Sequence, residues 1–334
     1  MNTNKIIFED LPNDFGDKKG WPWTETSKQQ FGEVRVNKSW PKISIITPSY
    51  NQAQYLEETI RSVLLQGYPN LEYIVIDGGS NDGSEEIIKK YEPWLTYWES
   101  EKDKGQSHAI NKGFAKSTGE ILAWINSDDY YMPGAFFLAA DAMTKSDWVT
   151  GKTILMNSQG ENTTIISAEG EELTKFDRCF KNNSSFNFRI SQPSHFWSRE
   201  MIENVGLINE GYHFGMDFDW MMRAMALGYQ PTFIDNVISC IRYHPDTKTS
   251  NQAEKFALER ARSITRLGLS GKLKLFPSIK LARFYYARYL RGISDRLFDE
   301  NRKSLSVIVT LSAWLITSKK IGENYYSRLK RVLQ

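Results

Sequence analysis

Cysteine is almost absent. The 334-residue sequence holds two, Cys179 and Cys240. Two distant thiols supply neither a disulfide framework nor a thiolate metal cluster, so a reducing compartment is the default. Long apolar runs are missing as well. The longest, Leu305 to Thr317 (LSVIVTLSAWLIT), falls short of the roughly 18 residues a spanning helix needs and carries Ser and Thr. The opening stretch, MNTNKIIFEDLPNDF, lacks the basic start and apolar core of a secretory leader. The expected location is therefore cytoplasmic. No GxGxxG opens a helix and no P-loop occurs, which counts against dinucleotide-dependent dehydrogenases and P-loop kinases. HExxH and Cys/His zinc spacings are absent too.

Net charge is close to neutral, +2, but it is unevenly distributed. Residues 253–334 hold 18 Lys and Arg against 6 Asp and Glu, a net +12, and the remainder carries −10. A basic tail on an acidic body meets something anionic: a membrane surface, or the acidic body itself. No recognised nucleic-acid module accompanies the tail, so nucleic acid is not an expected partner.

The hydrophobic pattern divides the chain. Residues 1–40 read as an irregular extension, pinned to the body by Trp21 and Trp23. Lys42 to Thr47 (KISIIT) is an apolar, β-branched run, a buried-strand signature. Ala53 to Gln66 places Leu56, Ile60, Val63 and Leu64 on one helical face. Strands are predicted again at Leu71–Ile76, Tyr97–Glu101 and Glu120–Ile125, with helices at Ser84–Tyr91 and Ser107–Lys116 between them. Such alternation builds a mostly parallel sheet flanked by helices, and ligands then gather at the carboxyl ends of the strands. The polar clusters TPSYN, DGGSNDGS and NSDD all fall there. After about residue 251 the chain becomes helical, basic and rich in tyrosine, as in Ile279 to Leu297.

Asp128 and Asp129 are the sharpest local feature. Adjacent carboxylates at a strand end repel each other unless a cation lies beside them. Their hard oxygens suit Mg²⁺ or Mn²⁺, which bridge carboxylates to substrate phosphates.

Across roughly Pro41 to Ser250 the chain resembles the family 2 glycosyltransferases of the GT-A fold. The segments that carry the resemblance are TPSYN (47–51), IVIDGGSNDGS (74–84), GQSHAINKGFAKSTGEI (105–121), NSDDYYMPGA (126–135), QPSHFW (192–197) and MDFDWMMR (216–223). The resemblance implies an α/β Rossmann-like sheet and inverting transfer of a sugar from a nucleotide-sugar, with UDP as the carrier. Pro48 and Tyr50 match positions that hold the nucleobase and ribose. Asp77 matches the acid that accepts a hydrogen bond from uracil, and Asp103 lines the nucleotide pocket. Asp129 matches the direct metal ligand, and Asp128 the residue on the ribose or a metal-bound water. Asp217 matches the catalytic base, although Met216 replaces the acid that precedes it in the family. His244 matches a late position that ligates the metal or touches the diphosphate, with Lys248 and Ser250 near it. Gln192 and His195 fall on the acceptor side.

Asp219 follows Asp217 by two residues, about 200° around a helix, and so points elsewhere, toward a structural role. The expected domains are an extension (1–40), a transferase domain (41–250, with nucleotide-sugar and acceptor halves meeting at residue 132) and a basic helical region (251–334). The expected acceptor is a glycan or lipid-linked glycan of the cell surface, made at the inner face of the plasma membrane. The competing reading is a degenerate transferase serving as a glycan-binding or assembly subunit. Nucleotidyl transfer is disfavoured, because TPSYNQ is not the Gly-rich basic loop that class needs. The sequence leaves the oligomeric state open.

Overall fold

The computed structural model describes residues 8–13, 16–25, 39–157, 162–166, 191–244, 247, 252–272, 275–300 and 302–316. The chain forms two compact units. The first comprises Met1–Phe176, Ser185–Glu210 and Tyr229–Tyr243, and the second Asp177–Ser184, Gly211–Gly228 and His244–Gln334. The expected boundary at residue 250 divides the chain differently: the segment 211–228 groups with the C-terminal helices.

In the first unit the predicted alternation is realised as β1 (Ile43–Ser49), α1 (Ala53–Leu64), β2 (Leu71–Asp77), α2 (Ser84–Tyr91), β3 (Tyr97–Ser100), α3 (Gln106–Lys116) and β4 (Ile121–Trp124). There follow β5 (Tyr130–Tyr131), α4 (Ala135–Met143), β6 (Trp148–Met156), β7 (Asn162–Ile166), β8 (Phe196–Ser198), α5 (Arg199–Val205) and, after a gap in sequence, β9 (Thr232–Arg242). The strands form one nine-stranded sheet in the order β3-β2-β1-β4-β8-β6-β9-β5, with β7 beside β6. β1 runs parallel to β2 and β4, and β2 to β3, whereas β8 is antiparallel to both its neighbours.

Strand periodicity explains the layers. Ile43 and Ile45 of β1 join Tyr73 and Val75 of β2 in a core with Leu56, Ile60, Val63 and Leu64 of α1. The intervening Ile74 and Ile76 face the other side and pack with Ala109 of α3. Both faces are covered, so every residue of β1 is buried. The N-terminal segment is pinned as expected. Trp21 Nε1 donates to the carbonyl of Tyr131 (2.8 Å), Trp23 is buried, and Arg61 Nε donates to the carbonyl of Pro22 (3.1 Å).

The second unit is helical: α6 (Met216–Ala226), α7 (Ala253–Leu269), α8 (Leu275–Asp299) and α9 (Lys303–Ile316). Leu281 and Tyr285 of α8 are buried, and Tyr285 meets Phe218 of α6 edge-on at 5.6 Å. The α8–α9 seam is small and polar. Ser294 Oγ lies 2.6 Å from Thr310 Oγ1 and 2.9 Å from Ser306 Oγ, beside buried Ala287 and Ala313. No helix among the described residues is long and apolar enough to cross a membrane.

Candidate active site

The carboxyl ends of β1, β2 and β4 lie side by side, and the loops leaving them are stitched together. Gly78 N donates to Ser49 O (2.9 Å), Asn51 N to Ser80 Oγ (2.8 Å) and Asn81 N to Asn51 Oδ1 (3.0 Å). Asp82 caps both neighbouring helices, accepting from Ala53 N at 2.9 Å and Ser84 N at 3.1 Å. Asn51 adopts the left-handed conformation, φ +51°, which suits Asn better than most residues. This turn projects Tyr50, 62% exposed, with a free aromatic face at the strand ends. Pro48 is buried within β1 opposite Ile76, so it shapes the strand end rather than presenting a surface.

Asp77 corrects an expectation. It is wholly buried, and its Oδ2 accepts from Gly79 N (3.1 Å), Ser80 N (2.8 Å) and Ser100 Oγ (2.7 Å), while Oδ1 accepts from Ser80 Oγ (2.6 Å). Nothing can approach such a carboxylate without opening the turn, so Asp77 holds the DGGS loop instead of meeting a base directly. The half-buried Asp103 accepts from Gly105 N at 2.6 Å, and its carboxylate closes on Gly78, where a Cβ would lie 3.1 Å from Oδ2.

The acidic pair leaves β4 through Asn126 and Ser127. Thr59 Oγ1 of α1 donates to the carbonyls of Ser127 (3.0 Å) and Asp129 (2.6 Å), fixing the turn. Asp129 is buried, accepting from Arg242 N at 3.1 Å and from Asn126 Nδ2 at 3.3 Å. Gln106 Nε2 donates in turn to Asn126 Oδ1 (2.6 Å). Burial first, and then the charge of Asp128, push the Asp129 carboxyl well above the ordinary carboxylate range. The neighbouring guanidinium of Arg242 is bound to Glu58 Oε2 (2.5 Å) and donates to the carbonyl of Asp128 (3.3 Å). Burial outweighs that pairing and raises the Glu58 pKa. Arg242, Glu58 and Thr59 carried no motif, and Gln106 lies in one without being singled out by it. Arg242 and Glu58 meet across 184 residues of sequence, where local spacing gives no signal.

The donor chemistry of this pair fits a hard divalent cation. Two ionisable carboxylates crowd one turn, and an added positive charge stabilises the ionised form that burial and mutual repulsion disfavour. No cluster of three or more His, Cys, Asp or Glu suited to a metal occurs among the described residues. Mg²⁺-like ions are commonly held by one or two carboxylates plus substrate phosphates rather than by an all-protein cage.

On the QPSHFW segment, Gln192 is buried and its Nε2 donates to the carbonyl of Trp124 (2.7 Å), directly before the acidic turn. Its Oε1 has no hydrogen-bond partner among the described residues. His195 overturns its expected place. It is wholly buried, accepts at Nδ1 from Trp148 Nε1 (2.8 Å) and stacks on Trp197 with ring centroids 5.8 Å apart. Burial pushes its pKa down to about 3, so it is a neutral core residue and not an acceptor contact.

Two candidates belong to the second unit. Asp217 lies half-buried in the first turn of α6, and burial raises its pKa against the opposing effect of Arg260. Asp219 is wholly buried, bound by Arg223 Nε (3.1 Å), Ser263 Oγ (2.6 Å) and Arg266 (2.7 Å). Its carboxylate is engaged within the fold, as its helical offset from Asp217 requires. His244 is buried, with its backbone N bound to Thr247 Oγ1 at 2.9 Å. Lys248 and Ser250 lie outside the described residues.

The profile described as "Glycosyl transferase family 2" matches residues 44–227. The chain belongs to that family and is a glycosyltransferase of the GT-A fold. An uncharacterised glycosyltransferase of Mycobacterium tuberculosis is 27% identical over 209 residues, 60% of this chain and 74% of that protein. Among solved structures, S. aureus TarS 1–349 in complex with UDP superposes with a TM-score of 0.58 at 18% identity, over 87% of this chain and 88% of that one. Against the longer TarS chain, this protein spans 50% of the length. The mannosyltransferase PcManGT of Pyrobaculum calidifontis, in complex with GDP-Man and Mn²⁺, gives a TM-score of 0.53 at 17% identity, over 90% and 85% of the two chains.

Proposed function

We propose that this enzyme is an inverting, metal-dependent glycosyltransferase that moves a sugar from a nucleotide-sugar, with UDP as the carrier, to a surface glycan or its lipid-linked precursor. The observation that carries the reading is the mutually repelling pair of half-buried Asp128 and buried Asp129 at the carboxyl end of β4. Tyr50 offers its exposed ring to the base. Asp103 and Asp128 contact the nucleotide, Asp129 binds the metal, and His244 serves as a further ligand or a diphosphate contact. Asp217 removes the proton from the acceptor hydroxyl while that oxygen bonds to the anomeric carbon. The bond from the anomeric carbon to the diphosphate breaks with inversion, and the electron pair leaves on the diphosphate. A divalent cation, when bound, supplies the positive charge that such a leaving group needs. An acceptor-side role for Gln192 is supported by its carbonyl oxygen, which has no hydrogen-bond partner among the described residues.

Removal of metal tests this directly. Chelated enzyme should be inactive and recover with Mn²⁺ or Mg²⁺, and Asp129→Ala should lose about 100-fold or more in turnover while staying folded. Full turnover by demetallated enzyme, or an unimpaired Asp129→Ala, would overturn it.

A second reading concerns place. The α8 residues Leu281 and Tyr285 are buried within their own unit, and Arg296 pairs with Glu254. The exposed apolar residues lie on α9 instead: Leu305, Ile308 and Leu311, opposite the polar seam. With Arg283, Arg288 and Arg291 exposed on α8, these residues support peripheral binding to an anionic membrane at the inner face of the cell.

A further inference from the structure

The first turn of α6 lacks a cap of its own. Gly215, at the N-cap position, has no side chain, and the leading amides of a helix have no partners within it. Glu259 of α7 instead holds the segment that leads into the helix. Phe214 N and Gly215 N donate to its Oε2 at 2.8 and 2.7 Å, and His213 N lies 3.1 Å from each oxygen. Glu259 is buried. The fit depends on glycine at 215, since a Cβ there would lie 3.2 Å from that of Glu259.

Glu259 belongs to a stripe. Residues 259, 263 and 266 recur at i, i+4 and i+7 on one face of α7, and Ser263 and Arg266 hold Asp219 at 2.6 and 2.7 Å. Arg260 places its guanidinium 5.2 Å over the ring of Phe218. Asp217 sits between the amides that Glu259 binds and the carboxylate that Ser263 and Arg266 bind, so its backbone is fixed from both sides by one helix. Met216 is buried and apolar. The acidic side chain at the start of this helix comes from α7, beyond the residues that the family profile matches.

We infer that Glu259 is a positioning residue for the reaction: it fixes the segment entering α6 through the backbone amides of His213, Phe214 and Gly215 and thereby sets the place from which Asp217 acts. The inference rests on Asp217 being the base. The charged groups acting on Asp217 are Arg260 and Glu259, both from α7, while Asp219 on its own helix is paired with Arg223 and Arg266.

Full-length Glu259→Ala, Glu259→Gln and Asp217→Asn variants provide the test, assayed with the nucleotide-sugar that the wild type turns over. Glu259→Ala should lower kcat by about 10- to 100-fold, the scale of a misplacement near 1 Å. KM for the donor should stay within about twofold. Amide hydrogen exchange at 213–215 should speed up. Glu259→Gln keeps an acceptor oxygen and should recover part of kcat. Loss of the negative neighbour should move the acid limb of its kcat–pH profile to lower pH. Wild-type kcat in Glu259→Ala, with Asp217→Asn inactive, would overturn the inference and leave the base reading intact. A fall in kcat matched by an equal fall in folded protein would also overturn it. Near-normal turnover by Asp217→Asn would remove both.

Discussion

Two acids on one helix divide their labour by burial. Asp219 is bound by two arginines and a serine, whereas Asp217 accepts from backbone amides, that of Phe218 at 2.7 Å. A base needs a carboxylate with an unused lone pair, and Asp217 retains one. Because its pKa is raised in the fold, the ionised form carries a desolvation cost, and stability through this group rises as pH falls. Asp217→Asn should therefore cost about 100-fold or more in turnover without lowering the melting temperature. The wild-type rate should fall on acidification at a pH above the ordinary Asp range. A thermal melt beside a pH–rate profile checks both; near-normal turnover in Asp217→Asn with loss in Asp219→Asn would reverse the roles. The helical offset of two residues made this difference legible in sequence. Burial at Asp77 and His195 was not legible. Each lies in a motif, and only the packed fold shows that one carboxylate is consumed by its turn and one imidazole by two tryptophans.

Elements were easier to read than side chains. Between residues 42 and 126 the strand and helix periods are clean, and every predicted element in that range appears within a few residues of its expected ends. Later strands are short or paired at long range, such as β5 with β9 and β8 with β4, and their sequence pattern carries little information about partners. The α3–β1 contact shows how tightly the elements that present the site are set. A Cβ on Gly113 would fall 2.4 Å from Ile46 Cγ2, and Ile46 lies two residues before Pro48 in the strand that ends at Ser49, next to Tyr50. Gly113→Ala should gain about 1 kcal/mol of helix propensity and lose about 1–3 kcal/mol to overpacking. The net expectation is a lower melting temperature, at about 2–4 °C per kcal/mol for a chain of this class, with weaker nucleotide binding. An unchanged or raised melting temperature would mean that α3 moves off the sheet without cost.

At the scale of the whole molecule the charge asymmetry needs an explanation, and the structure supplies half of one. Residues 253–334 carry +12, and α7 and α8 use part of that charge internally, through Arg266 on Asp219 and Arg296 on Glu254. Intramolecular docking, one of the two readings the basic tail allows, thus accounts for the apolar face of α8. It leaves α9 unexplained. That helix turns Ser306 and Thr310 inward and Leu305, Ile308 and Leu311 outward, the reverse of a helix folded for water. Exposed apolar residues on α9 and exposed arginines on α8 suit the headgroup boundary of an anionic bilayer, where each nearby basic side chain contributes about 1 kcal/mol. A lipid-linked acceptor would then share a plane with its enzyme. The full-length protein should float with vesicles containing anionic lipid, not with neutral ones, and salt should weaken the binding. Leu305→Ser, Ile308→Ser and Leu311→Ser together should abolish flotation while leaving α6 and α7, and hence turnover of a soluble acceptor, unchanged. Equal binding by the triple variant would place the contact on the arginines alone. A wild-type protein that fails to float at low salt, and whose mass in solution is that of a dimer lost in the same variant, would make α9 a subunit interface instead.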